Sequence, residues 1–300
     1  MTGDSIVLCA GTIPRASFRE RVAAASAGGF DGVSLRLRDY TRARADGLSD
    51  ADMRALLAGE GMAVAEVEAL TAWRPGTTPS RPAYAAARVL EIAEALRARS
   101  ISVVEGPGAP LPVHAAAEAF AALCDGAAAL GLLVGIEFWP GSGLDLRAAL
   151  AVVAAADRPN GGLLVDTWHL ARTQDGTALL RDIPGARIVA VQISDSPPVE
   201  DPEPDYLAAA LTRRLMPGEG ALDLVGFLRL LDERASSAPI GVEVCSERLA
   251  AEPAATVARR AGDAVRHLLA AARRAHDQGS PGSGPKSGGG TRTSGKARSS

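Results

Sequence analysis

Four short apolar segments of the chain each end on a side chain that carries an oxygen donor. They contain β-branched residues and are flanked by turn residues, so each predicts a strand buried on both faces of a parallel sheet. The four segments are Leu132–Glu137, Gly161–Asp166, Ile188–Gln192 and Ile240–Glu243. Because an α/β barrel builds its active site at the carboxyl ends of its strands, we expect the four terminal side chains to surround one mouth.

Two interpretations of these terminal side chains are possible. Asp166 could simply cap the next helix, since aspartate is favoured at that position. Three carboxylates that converge on one mouth would instead need a cation, because buried acids are costly when nothing pairs with them. A divalent metal ion is the simplest such cation. The recurrence of the pattern on four consecutive strands favours a metal site formed by Glu137, Asp166, Gln192 and Glu243.

The whole chain alternates between predicted strands and predicted helices. Four further strands are expected at Ser5–Ala10, Gly32–Arg38, Ala63–Glu68 and Ile101–Glu105. The main helices are expected at Ser17–Ala27, Ser49–Glu60, Arg81–Arg99, Val113–Leu130, Leu146–Ala155, Leu222–Arg234 and Pro253–Ala275. Eight strands joined by right-handed crossovers predict a closed α/β barrel, the (β/α)8 TIM barrel, over residues 1–276. A doubly wound open sheet is the alternative, but the first strand lacks a GxGxxG turn.

The composition predicts a soluble globular body that is acidic. Residues 277–300 offer no apolar side chain to bury and predict a disordered tail. From Gly279 onward this tail carries four basic residues and no acid, so the net charge of −3 leaves the rest near −7. An acidic body argues against a nucleic-acid partner, and no apolar run is long enough to span a membrane. Three cysteines without a CxxC motif are typical of a reducing compartment, so we expect a cytoplasmic protein.

Several residues near the strand ends are candidates for contact with a small-molecule substrate. Trp168 and His169 follow the second of the four segments by two and three positions, Glu68 ends its own strand, and Arg214 precedes a Pro-Gly-x-Gly turn. Three of them have an ordinary alternative: core packing for Trp168, a loop hydrogen bond for His169 and a surface charge for Arg214. The proline- and acid-rich segment Ser196–Tyr206 is either part of a lid or a stiff surface connector.

An ordered set of motifs resembles the xylose-isomerase-like TIM-barrel superfamily over roughly residues 5–275. The motifs are Glu137, Asp166-x-x-His169, Gln192-x-x-Asp195, Arg214-x-x-Pro217-Gly218-x-Gly220 and Glu243. This superfamily includes sugar-phosphate isomerases and epimerases, ketose 3-epimerases and inosose-processing enzymes, and its members often form homodimers. The resemblance implies that Glu137, Asp166 and Glu243 bind a divalent metal. It also implies that His169 faces the substrate and that Arg214 contacts it.

The chain departs from the pattern of the superfamily at one metal ligand. The usual fourth ligand is a histidine, and here it is Gln192. A glutamine carbonyl can still bind a metal and makes the site all-oxygen, which favours Mg²⁺ or Mn²⁺ over Zn²⁺ or Co²⁺. Bacterial 3-dehydroshikimate dehydratases of this superfamily are similar in placing a glutamine there. The endonuclease branch needs many histidines around several zinc ions, and this chain has four in total.

The expected chemistry begins at a carbon atom next to a ketone. A metal bound by the carbonyl and a neighbouring hydroxyl of a sugar, sugar phosphate or inosose acidifies that C–H bond and stabilises an enediolate. Glu137 and Glu243 could then remove and return a proton from opposite sides, so the first expectation is an isomerase or epimerase. The alternative is a lyase of the 3-dehydroshikimate dehydratase type, in which His169 assists the loss of hydroxide. A third possibility is a barrel that binds a ligand without catalysis.

Overall fold

In the computed structural model, eight parallel strands form one closed barrel, which confirms the predicted TIM barrel. The structure describes residues 1, 5–77, 85–199 and 205–279. The strands pair in chain order, and β1 pairs with β8 to close the barrel. They are β1 Ile6–Leu8, β2 Gly32–Arg36, β3 Ala63–Leu70, β4 Ser100–Val104, β5 Leu133–Glu137, β6 Gly161–Asp166, β7 Ile188–Ile193 and β8 Ile240–Val242.

Twelve α-helices lie within the described ranges. They are α1 Phe18–Ala27, α2 Leu37–Ala45, α3 Asp50–Gly59, α4 Ala86–Ala95, α5 Val113–Ala128, α6 Leu146–Ala156, α7 Thr167–Ala171, α8 Gly176–Arg181, α9 Tyr206–Thr212, α10 Leu224–Glu233, α11 Glu247–Ala250 and α12 Ala254–Gly279. The first and last helices, α1 and α12, pack against each other beside the closing strand pair. No helix in this part of the chain is both long enough and apolar enough to cross a membrane.

The second strand is shorter than predicted because a helix begins where it ends. The backbone N–H of Arg36 donates to Oδ2 of Asp39 at 3.0 Å, which satisfies one of the free donors at the start of α2. Leu37 and Arg38 therefore belong to the helix, and their assignment to a strand that runs to Arg38 is wrong. The acid three positions after Arg36 was the available sequence signal for this helix start.

The predicted helix at Ser49–Glu60 begins where its capping residues indicate. The Ser49 hydroxyl accepts from the N–H of Asp52 at 3.1 Å, and Asp52 accepts from the N–H of Ser49 at 2.9 Å. The last helix, α12, continues to Gly279, four residues beyond its predicted end. The rest of the tail predicted for residues 277–300 lies outside the described residues.

Two other predicted segments fall partly on residues that the structure does not describe. The predicted helix Arg81–Arg99 corresponds to the shorter α4, and residues 78–84 are outside the described ranges. Residues 200–204 of the predicted lid or connector are also outside them, and the helix α9 begins at Tyr206. The short helices α7, α8, α9 and α11 follow β6, β7 and β8 and were not predicted as separate elements, because four to seven residues carry little periodicity.

The barrel register places the predicted site residues at one end of the sheet. Asp166, at the end of β6, pairs with Gln192 on β7, and Gln192 pairs with Gly241 on β8. Glu243 follows two residues later, and Glu137 at the end of β5 pairs with Leu164 on β6. The carboxyl ends of these four neighbouring strands therefore form one mouth, as the sequence pattern predicts.

Candidate active site

A row of alternating charges, hereafter the charge row, crosses the mouth of the barrel from β6 to β3. Arg214 Nη1 donates to Asp166 Oδ2 at 2.6 Å and lies 3.6 Å from Glu243 Oε2. On its other side, Glu243 Oε1 accepts from Arg36 Nη2 at 3.0 Å. Arg36 Nε donates in turn to Glu68 Oε2 at 3.2 Å. Each of these three buried acids therefore has an arginine partner, as burial requires.

Asp166 acts as a helix cap and as an ion-pair partner at the same time. Its Oδ1 atom accepts from the backbone N–H groups of Trp168 at 2.7 Å and His169 at 3.2 Å, at the start of α7. Its Oδ2 atom accepts from Arg214. Burial raises the pKa of Asp166, but the nearby Arg214 and His169 outweigh it and hold the pKa below its usual value. The capping interpretation of the sequence is therefore correct, and it does not remove Asp166 from the mouth.

The Pro-Gly-x-Gly motif places the guanidinium of Arg214. Asp195 and Leu215 exchange two backbone hydrogen bonds of 2.9 Å. The carboxylate of Asp195 also accepts from the N–H of Gly218 at 3.0 Å. Arg214 Nε donates to the carbonyl of Ala210 in α9 at 2.7 Å. These bonds tie the turn to the end of β7 and fix the side chain of Arg214 at the mouth.

Arg36 and Gly11 lie at the mouth and were not identified from the sequence. Arg36 ends β2 and links two carboxylates that belong to different strands. Gly11 lies in the loop after β1, where a Cβ atom would come within 2.8 Å of Glu243 Oε1 and 2.9 Å of Arg36 Nη2. A side chain at this position would therefore require Glu243 and Arg36 to shift, and glycine lets the backbone pass this ion pair without that change. The position of Arg36 at the carboxyl end of its strand was a sequence signal for the mouth. Nothing in the sequence around Gly11 indicated that it lies there.

The buried acids of β3 and β8 differ in their tendency to ionise. Burial, followed by the neighbouring Glu68, raises the pKa of Glu243 to about 8 despite its two arginine partners. Burial also raises the pKa of Glu68, but Arg36 and the Ser34 hydroxyl outweigh it and hold that pKa below its usual value. The Ser34 hydroxyl donates to Glu68 Oε1. Glu66, two residues earlier on β3, has a pKa well above its usual value because it is buried and lies near Glu68. Of these three acids, Glu68 therefore ionises most readily, and Glu243 and Glu66 less readily.

His169 and Glu137 form a second group beside the charge row. His169 Nε2 lies 3.4 Å from Glu137 Oε1, and His169 Nδ1 lies 2.5 Å from the hydroxyl of Tyr206. The side chain of Glu137 is 14% exposed and that of His169 is 7% exposed. Glu137 is thus more open to a molecule entering the mouth than the acids of the charge row. Tyr206 was not singled out from the sequence, because it lies 37 residues from His169 with no motif around it.

The four predicted metal ligands provide oxygen donors that suit a hard divalent cation, but they are not arranged as a preformed site. Gln192 Oε1 is buried and has no hydrogen-bond partner among the described residues, so it is an acceptor available to a cation. Within the same ranges, no group of three or more His, Cys, Asp or Glu side chains is arranged to hold a metal ion. Arg214 instead provides the positive charge between Asp166 and Glu243. The donor types fit Mg²⁺ or Mn²⁺.

Two tryptophans near the site contact the helix α9: Trp168 packs on its buried side, and Trp139 stacks on its first residue, Tyr206. Trp168 is 1% exposed, and the guanidinium of Arg172 lies 3.5 Å from its ring centroid. Its predicted contact with substrate stays a prediction. The ring of Trp139 stacks on Tyr206 with centroids 5.5 Å apart, and its Nε1 atom donates to the carbonyl of Glu105 at 2.9 Å. These rings form one wall of the mouth together with His169.

With this geometry established, comparison with known proteins identifies the family. The family described as xylose isomerase-like TIM barrel matches residues 22–271. The chain belongs to this family. As a xylose isomerase-like barrel, it is also 29% identical over 273 residues to a 3-dehydroshikimate dehydratase of Pseudomonas aeruginosa. That alignment covers 88% of the chain and 40% of the relative, so the chain spans less than half the length of the relative.

Solved structures share the fold of this xylose isomerase-like barrel at lower sequence identity. A xylose isomerase-like TIM barrel/4-hydroxyphenylpyruvate dioxygenase fusion protein has a TM-score of 0.79 at 22% identity, over 91% of this chain and 44% of the other. The IOLI protein with a zinc atom bound has a TM-score of 0.75 at 17% identity, over 89% and 98%. An L-ribulose 3-epimerase has a TM-score of 0.71 at 17% identity, over 94% and 99%. At these identities the likeness shows that the fold is shared.

Proposed function

We propose that the chain is a lyase of the 3-dehydroshikimate dehydratase type. The observation that carries this proposal is the pairing of Glu137 with His169, whose side chains approach to 3.4 Å at the mouth. Loss of water from neighbouring carbon atoms needs a proton acceptor and a proton donor side by side, and this pair supplies both. The dehydratase relative that aligns with 88% of the chain supports the same reaction class and suggests the substrate.

The proposed reaction divides the proton transfers between these two residues. The carboxylate of Glu137 removes the proton from the carbon next to the ketone. His169 donates a proton from Nε2 to the hydroxyl on the following carbon, which leaves as water, because hydroxide alone is a poor leaving group. The electron pair of the broken C–H bond forms the new double bond. Loss of one water and a further proton shift convert 3-dehydroshikimate into the aromatic acid 3,4-dihydroxybenzoate.

The charge row would bind and orient the substrate rather than take part in proton transfer. A divalent cation held by Glu137, Asp166, Gln192 and Glu243 would polarise the ketone and make the neighbouring C–H bond more acidic. Among the arginines of the charge row, Arg36 has a side chain that is 25% exposed, against 3% for Arg214. We therefore assign the first contact with an anionic or hydroxyl group of the substrate to Arg36, and the support of Asp166 and Glu243 to Arg214.

The isomerase or epimerase reaction, which was the first expectation from the sequence, is the second candidate. Glu137 ends β5 and Glu243 follows β8, so two strands separate them around the barrel. Two carboxyl groups on different sides of the mouth could remove a proton from one face of a carbon atom and return one to the other. The burial of Glu243 between two arginines makes it the less accessible of the two acids, which favours the lyase.

The experiment that tests the proposal supplies purified protein with Mg²⁺ or Mn²⁺ and 3-dehydroshikimate. We expect ultraviolet absorbance of an aromatic product to grow to completion, and mass spectrometry to show the loss of one water. Glu137→Gln and His169→Asn should each abolish this signal, while Glu118→Gln, an exposed substitution on α5, should leave it unchanged. Absence of the aromatic product, together with solvent deuterium incorporated into a ketose or inosose, would replace the lyase by the isomerase.

A further inference from the structure

The two ring nitrogens of His169 contact different partners on opposite sides of the imidazole. Nε2 lies 3.4 Å from Glu137 Oε1, and Nδ1 lies 2.5 Å from the hydroxyl oxygen of Tyr206. The rings of His169 and Tyr206 also face each other, with centroids 5.9 Å apart and an interplanar angle of 25°. A neutral imidazole carries its proton on only one nitrogen, and the partner of the other nitrogen decides which one.

His169 Nε2 faces a carboxylate oxygen of Glu137, which can only accept, so the arrangement that satisfies both partners has the ring proton on Nε2 and Tyr206 as the donor to Nδ1. Burial raises the pKa of Tyr206 well above its usual value, and the nearby Asp166 raises it further, so the phenol keeps its proton. An O–H group that donates to Nδ1 needs a lone pair there, which leaves the ring proton on Nε2. The proton of the imidazole then faces Glu137 and the open part of the mouth.

The position of Tyr206 is itself fixed by several contacts. Its ring stacks on Trp139 at 5.5 Å with an interplanar angle of 16°. Tyr206 is the first residue of α9, and the preceding Asp205 caps this helix by accepting from the N–H of Ala208 at 3.1 Å. The buried side of α9 packs on Trp168. The stacking on Trp139 and the packing of α9 on Trp168 therefore fix the position of the Tyr206 hydroxyl.

We propose that Tyr206 is a positioning residue that holds His169 in the Nε2-protonated form, directed at the mouth. This inference rests on the proposed function only for its consequence in catalysis, since the contact between Tyr206 and His169 is present without substrate. Its catalytic consequence is that His169 passes its Nε2 proton to the leaving hydroxyl, while the proton that Glu137 has taken from carbon returns to Nε2, so that the imidazole ends the step neutral and Glu137 ends it as a carboxylate. Removal of the tyrosine hydroxyl leaves the ring stacking intact and frees Nδ1 to take a proton.

The test uses the 300-residue chain labelled with ¹⁵N and compares the wild type with Tyr206→Phe. The chain has four histidines, so the imidazole ¹⁵N signals are few, and His169→Asn identifies those of His169. We expect the wild type to show a proton-bearing Nε2 and an unprotonated Nδ1. In Tyr206→Phe, we expect the His169 signals to move to a mixture of forms. Tyr40→Phe is the matched control, because the Tyr40 hydroxyl donates to Asp50 at 2.9 Å, away from the mouth.

A kinetic measurement with 3-dehydroshikimate and Mg²⁺ supplies a second readout. Tyr206→Phe should lower kcat by about 10–100-fold with little change in KM, the size seen when a supporting hydrogen bond to a functional histidine is lost. A wild-type spectrum with the proton on Nδ1 would overturn the inference even if the variant failed to fold. Unchanged His169 signals in a folded Tyr206→Phe would overturn it as well. A positive spectrum without dehydratase activity would reject the proposed function and leave the tautomer assignment standing.

Discussion

Arg214 Nη1 lies 2.6 Å from Asp166 Oδ2, and the two side chains are 3% and 0% exposed. This buried ion pair joins the turn after α9 to the end of β6, which are far apart in the sequence. A buried pair contributes little compared with apolar packing, but removal of one partner leaves an uncompensated charge in the interior. The stability of the mouth therefore depends on both partners being present.

Arg214→Met should lower the free energy of unfolding by about 3–5 kcal/mol, because Asp166 and Glu243 lose the cation between them. Denaturant unfolding followed by circular dichroism in the presence of a chelator measures this change. The matched control is Arg147→Met, which breaks the exposed pair with Asp175 and should cost about 0–1 kcal/mol. A loss for Arg214→Met no larger than that of the control would contradict the prediction. Asp166→Asn combined with Arg214→Met should cost less than the sum of the two single changes.

The raised pKa of Glu243 makes the metal-free protein less stable as the pH rises. The folded state binds a proton up to a pH of about 8, whereas the unfolded glutamate releases it near its ordinary value of 4.5. The stabilisation is therefore complete below pH 4.5 and is lost as the pH rises toward about 8. One proton gives a slope of at most about 1.4 kcal/mol per pH unit. Denaturant unfolding in a chelator at several pH values should show this decline, and Glu243→Gln should flatten it.

Divalent metal binding should depend on Gln192. Calorimetry with Mn²⁺ is expected to show one site in the wild type and markedly weaker binding in Gln192→Ala, because the variant lacks the buried carbonyl donor. Gln192→His should shift the preference toward Zn²⁺ or Co²⁺, since an imidazole nitrogen is a softer donor than an amide oxygen. Equal Mn²⁺ affinity in the wild type and Gln192→Ala would exclude this side chain as a ligand.

Isotope labelling in deuterium oxide should separate the two candidate reactions. A lyase forms an aromatic product irreversibly, whereas an epimerase returns a solvent-derived proton to carbon and stops at an equilibrium mixture. If the chain is a lyase, His169→Ala should lower turnover severely, because a lyase must protonate a poor leaving group. If the chain is an epimerase, the same change should lower turnover less, because no hydroxide leaves. The measurement is single-turnover product formation by mass spectrometry. A labelled, unaromatised product from a ketose or inosose would decide for the epimerase.

Truncation after Gly279 should leave the fold and turnover unchanged. The sequence of residues 280–300 offers no large apolar side chain that a core could bury. The melting temperature of the truncated protein should lie within about 1–2 °C of the full chain, since surface changes usually alter stability by less than 0.5 kcal/mol. A truncation inside α12, for example after Ala264, is the contrasting variant, because it removes Val265, which is fully buried. A large drop in melting temperature for the first truncation would show that the tail supports the barrel.

The parts of the fold that were predictable are those with a local signal. The strands that end at Glu137 and Asp166 were bounded correctly at that end, because an apolar run stopped at an acid. The start of α3 was predictable from Ser49, since the capping box lies within four residues. The end of β2 was misplaced by two residues because apolar and basic residues continued to alternate into α2.

The site was only partly predictable, for a reason that concerns distance along the chain. The strand pattern predicted that Asp166 and Glu243 lie at the mouth, but the pairing of each acid with an arginine is not a local property. Arg36 and Glu243 are 207 residues apart, and Tyr206 and His169 are 37 residues apart. Such contacts arise only when the barrel closes, so a single sequence without motifs around these residues contains no signal for them. The barrel and its mouth were therefore predictable, and the partners within the mouth were not.

The alternation of sign along the charge row constrains how the mouth can evolve. Arg214, Glu243 and Arg36 each lie between two groups of opposite charge. A mutation that removes one of these three charges therefore leaves unbalanced charges of one sign on both sides of it. Arg36 and Arg214 share Glu243, and loss of that carboxylate would leave two guanidinium groups facing each other across it. We therefore expect substitutions in the charge row to persist as compensating pairs. A variant that carries only one change of such a pair should be short-lived in a population. A lineage that acquires a new substrate would change the loops around the row more readily than the row itself.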